Sequence, residues 1–115
     1  MDSADRPPVP PPVVCELRSI PGAPGARMDE YRRLFGQHLA GRSQTATGIR
    51  FRFRAGPGVE DWVRDLARRE KECCAFFEFT VTAGGQEVRW DATVAGGEAA
   101  RQALAGFYRL PDVLA

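Results

Sequence analysis

The run Ile49-Arg50-Phe51-Arg52-Phe53-Arg54 alternates apolar and arginine side chains without a break. Successive side chains of a strand point to opposite faces, so this run fits a sheet with one apolar and one charged surface. Ile49, Phe51 and Phe53 then need a cover, while Arg50, Arg52 and Arg54 stay open. That argues for two layers, with the cover on one side of the sheet.

The flanking sequence supplies the cover. Val13–Ile20 reads as a strand that Pro21 and Gly22 end. Met28, Tyr31, Leu34, Phe35, His38 and Leu39 recur at helical spacing, and Gly41 closes that helix. After Gly56-Pro57-Gly58, a second helix carries Val59, Trp62, Val63, Leu66, Ala67, Glu70, Cys73 and Cys74 on one stripe. Residues 76–83 and 86–95 form a hairpin about Gly84-Gly85. A last helix follows Gly96-Gly97, turns Ala100, Ala103, Leu104 and Phe107 inward, and ends at Pro111. The order βαβαββα predicts an α+β fold, a two-layer sandwich with a four-stranded mixed sheet and helices on one face. Residues 13–115 make up this single domain. Residues 1–12, rich in proline, are expected to be a disordered or polyproline II tail.

Sixteen basic residues against fifteen acidic ones give a net charge of +1, which offers no basic excess for nucleic acid or a membrane surface. Nucleic-acid binding is therefore disfavoured. The opening residues have no continuous apolar stretch to act as a signal peptide or anchor. Three cysteines are an odd number, which excludes a complete disulfide framework. The expected compartment is the cytoplasm, with thiols kept reduced.

The chemistry-bearing feature is the adjacent pair Cys73-Cys74 at the end of the second helix. Cys15 alternates with Val13 and Leu17 and so points toward the helix layer. In a βαβ unit the helix C-termini lie where the parallel strands begin. Cys15, Cys73, Cys74 and His38 are therefore expected at one edge of the sandwich. Thiolates and imidazole suit zinc, copper(I) and mercury(II). Adjacent residues on a helix diverge by about 100°, so the pair grips one ion only where the helix breaks. Glu70 shares the stripe with the thiols. It reads either as a proton donor beside a thiol nucleophile or as the partner of an arginine such as Arg27 or Arg42.

Two further readings accompany this one. Buried cysteines often act as small hydrophobes, which leaves a non-catalytic interaction module. The arginine row could track phosphates, but Glu16, Glu78, Glu87 and Asp91 are available for cross-strand pairing. The open face also offers a surface for a homodimer. No glycine-rich phosphate loop, Ser/His/Asp set, His-Glu-x-x-His or Cys-x-x-Cys occurs, and no organic cofactor is expected.

The run Glu70-Lys71-Glu72-Cys73-Cys74-Ala75-Phe76, with Cys15 upstream and the Arg50–Arg54 alternation, resembles a group of small bacterial Glu-x-Cys-Cys-x-Phe proteins. Segments similar to it occur alongside heavy-metal-responsive regulators. The resemblance covers about Val13 to Phe107, and Ala75 stands where the group commonly has proline. It implies association with soft metals. The leading expectation is thus a cytoplasmic thiol-bearing domain that binds a soft metal through Cys73, Cys74 and Cys15, for sequestration, delivery or sensing and with resistance to heavy metals as its setting. The second is a small enzyme acting on an organometal or other small electrophile, with Cys73 or Cys74 as nucleophile and Glu70 or His38 as acid/base. The third is the interaction module.

Overall fold

The alternation at 49–54 is realised as a central strand, and its partner at 87–94 repeats the pattern. The computed structural model describes residues 24–114, so the expected strand Val13–Ile20, Cys15 and the Pro-rich segment lie outside the described residues. Helix α1 (Pro24–His38) runs directly into strand β1 (Leu39–Gln44), which turns back into β2 (Gly48–Arg54). Helix α2 (Val59–Cys73), strands β3 (Phe77–Gly84) and β4 (Glu87–Val94), and helix α3 (Glu98–Val113) follow. The fold is α+β: one sheet in the order β1-β2-β4-β3 with the helices on one face.

Register places Ile49, Phe51 and Phe53 opposite Ala92, Trp90 and Val88, and all six are buried. Tyr31, Leu34 and Phe35 of α1 close over them, with Val59, Val63, Leu66 and Ala67 of α2 and Phe107 of α3. Each fully buried large apolar side chain contributes about 1.5–3 kcal/mol of transfer free energy. Phe107 lies edge-on to both Phe51 and Trp90, at 5.1 and 5.3 Å between centroids, which is a favoured aromatic geometry. The Trp90 indole N–H finds no acceptor inside this cluster.

The structure departs from expectation in the sheet's connectivity. Among the described residues all three strand pairings are antiparallel, not mixed. One of the two strands beside β2 is β1, a segment with no period-2 signal. Gly48 starts β2 so close to β4 that a Cβ there would run into the Ala92 carbonyl oxygen. Pro111 does not end α3, which continues to Val113. Pro111 has no N–H to give the Phe107 carbonyl, so the helix runs past it with that one bond missing.

The extra strand has a consequence for the site. Two βαβ crossovers would set α1 and α2 parallel. With β1 and β2 both between them, the chain reverses once more and the two helices run antiparallel. Arg27 and Tyr31, early in α1, contact Glu70 late in α2. His38, the last residue of α1, contacts Trp62 early in α2.

Candidate thiol site at the end of the second helix

Helix α2 stops between the two cysteines. Cys73 is its last residue, and Cys74 follows at φ −128° and ψ 87°, outside helical space. The Cys74 amide donates to the Glu70 carbonyl at 2.8 Å, the final helical bond, and the Phe77 amide then donates to the Cys74 carbonyl at 3.1 Å. A tight turn over 74–77 therefore links α2 to β3. The pair is split by this turn: Cys73 is exposed, while Cys74 is 1% exposed among core residues. Cys73 carries a thiol whose partial desolvation against the protein pushes it up from its ordinary pKa, helped by the Glu70 charge and opposed by Arg27. Cys74 is disulfide-bonded, which differs from the expected reduced thiols.

Glu70 lies one turn back and is 3% exposed. Its Oε2 accepts from Arg27 Nη1 at 2.7 Å and from the Tyr31 hydroxyl at 3.0 Å. Desolvation still holds its pKa above the ordinary carboxylate value, against the pull of Arg27 and of the Tyr31 hydrogen bond. Burial and the Glu70 charge push the Tyr31 phenol well up in turn. Of the two arginines considered from sequence, Arg27 is the partner. Arg42 instead donates to the Tyr108 carbonyl and to Asp112, with its guanidinium over the Tyr108 ring at 5.0 Å.

Lys71, in the last turn, reaches forward across the turn. Its ammonium donates to the carbonyls of Ala75 (2.9 Å) and Phe77 (2.7 Å) and to Glu78 Oε2 (3.1 Å). Both carbonyls lie past the end of the helix, one in the turn and one at the first residue of β3, so no helix-end rule announces the contact. Glu30 carries no sequence signal either. It accepts from Arg69 at 3.0 and 2.7 Å and from the Trp62 indole at 2.8 Å, tying α1 to the middle of α2.

The expected gathering is only partly realised. Cys73, Cys74 and Glu70 share one end of α2. His38 sits against Trp62 with ring centroids 6.0 Å apart. Trp62 precedes Cys73 by three helical turns, about 16 Å. The antiparallel helices thus place the imidazole at the opposite end. Cys15 lies outside the described residues. Among the described residues no three His, Cys, Asp or Glu side chains are grouped so as to hold a metal ion.

The open sheet face is largely self-neutralised. Arg50 makes a bidentate pair with Asp91 at 2.7 and 3.0 Å, Arg52 lies 3.7 Å from Glu87, and Arg54 donates to the carbonyls of Gln37 and Leu39. Cross-strand pairing thus occupies much of the arginine row. Among the described residues no helix is long and apolar enough to cross a membrane. Comparison with protein-family models, with curated proteins and with solved structures found no match.

Proposed function

We propose that this chain is a cytoplasmic thiol-bearing domain that takes up one soft metal ion, zinc, copper(I) or mercury(II), through Cys73 and Cys74 with Cys15 as third ligand. Sequestration, delivery or sensing are the uses such a site serves. One observation carries the reading: the helix ends between the adjacent cysteines. A continuous helix would splay the two sulfurs by about 100°. The extended backbone at Cys74 removes that constraint.

The electrostatics favour a metal over an activated nucleophile. A thiol whose pKa is raised stays protonated at neutral pH and attacks slowly. A bound ion needs no such activation, because it displaces the thiol proton itself. The disulfide at Cys74 adds a condition. A disulfide sulfur offers no thiolate, so the reduced form is the one that loads, and uptake is coupled to reduction. A reducing cytoplasm meets that condition.

Native mass spectrometry tests the proposal. Reduced protein titrated with zinc, copper(I) or mercury(II) should bind one ion per chain, while oxidised protein and the Cys73→Ser/Cys74→Ser double variant should bind none. Unchanged stoichiometry in the double variant would sink the reading.

A further inference from the structure

An ammonium group has three N–H donors and no acceptor. The structure gives Lys71 three acceptors, and they straddle the turn that contains Cys74: the Ala75 carbonyl, the Phe77 carbonyl and the Glu78 carboxylate. The lysine thus fastens α2, the turn and the start of β3 to one point. Its charge is paired with Glu78 at 3.1 Å. Its three bonds hold the backbone on either side of the turn that follows Cys74.

We infer that Lys71 is the positioning residue of the cysteine pair, pinning the turn after Cys74 so that both sulfurs reach one soft acceptor. Its purpose rests on the soft-metal reading, but the geometry has its own test. Phenylarsine oxide joins two thiols at one arsenic(III). Two As–S bonds form, the As–O bond breaks, and the oxygen leaves as water with both thiol protons, so no electron is transferred.

The reduced full chain and its Lys71→Met, Lys71→Arg and Glu78→Gln variants are each titrated with phenylarsine oxide and, separately, with mercury(II). Circular dichroism melts serve as the folding control. Outer-shell partners typically govern metal affinity by about 10–100-fold, and a loss of that order is expected in Lys71→Met for both probes. Glu78→Gln should lose less, and Lys71→Arg should recover part of the loss, whereas a merely structural role would move the melting curve and leave capture unchanged. Arsenical capture by folded Lys71→Met equal to wild type would overturn the inference, as would wild type that captures no arsenical. Should Lys71→Met fail to fold, Lys71→Arg and Glu78→Gln decide: capture by both at the wild-type level also overturns it. Wild type that captures arsenical through Lys71 but takes up no mercury, zinc or copper(I) supports the positioning role and refutes the metal reading.

Discussion

Glu30 and Glu70 stand on the same helix seam, one projecting from α1 and the other from α2, and their environments push them in opposite directions. Glu30 keeps 17% of its side chain exposed, and its hydrogen bond from Arg69 holds its pKa below the ordinary value. Glu70 keeps only 4% and has a nearby guanidinium too, yet burial wins and its pKa rises. The difference is hydration. An arginine at 2.7 Å stabilises each carboxylate, but the desolvation cost grows steeply as the last water is removed. Glu30 is a helix-to-helix tie. Glu70 sits one turn before the cysteines, where its charge adds to the desolvation that raises the Cys73 thiol.

Truncation should separate the two carboxylates most sharply. Glu70→Ala leaves the Arg27 guanidinium and the buried Tyr31 hydroxyl without their acceptor, and breaking such a buried pair typically costs about 3–5 kcal/mol. Glu30→Ala leaves the Trp62 indole and Arg69 with partial solvent access and should cost about 1–2 kcal/mol. Urea unfolding followed by circular dichroism reads both. Equal losses would show that the two sites are energetically alike.

The cysteines offer the same contrast at closer range. Cys74→Ser removes a disulfide-bonded, core-buried residue and should cost about 2–4 kcal/mol under oxidising conditions. Cys73→Ser changes an exposed helix end and should stay within about 0.5 kcal/mol. A chemical melt of each variant, with and without reductant, checks both figures. A large stability loss in Cys73→Ser would contradict the division between a buried anchor and an exposed ligand.

The legible parts of this molecule are those whose signals are local. The alternation at 49–54, the Gly84-Gly85 hairpin and the stripe from Val59 to Glu70 each encode their own element, and each forms where the pattern puts it. The stripe's expected last members depart from it, because Cys73 is exposed and Cys74 lies past the helix end. Leu39–Gln44 has neither alternation nor β-branched residues, and it becomes a strand because β2 offers it a backbone ladder. That strand then reverses the chain, so His38 lands three turns from the cysteines. Within the site, the Glu70–Arg27 pair was readable because a buried carboxylate demands a cation. The tie from Glu30 to Arg69 and Trp62 joins residues up to 39 apart, and no spacing rule announces it.

The smallest effect is also the one that tests the comparison's sign. Glu70, raised in the fold, contributes stability that is fully present below its ordinary pKa of 4.5 and is lost as the pH rises through its folded value. Glu30, lowered in the fold, contributes stability that is present above 4.5 and is lost as the pH falls through its folded value. The joint contribution of the two is therefore greatest near 4.5 and declines on either side. Glu70→Gln should flatten the decline on the neutral side and leave the acid limb intact, because the amide binds no proton in either state. Glu30→Gln should do the reverse. Urea midpoints collected in steps from about pH 3 to about pH 7, where carboxylates exchange their protons, give both limbs in one series. A Glu70→Gln profile that runs parallel to wild type above 4.5 would mean that Arg27 and Tyr31 offset the desolvation in full. The two carboxylates would then differ in exposure alone, not in the direction their burial drives them.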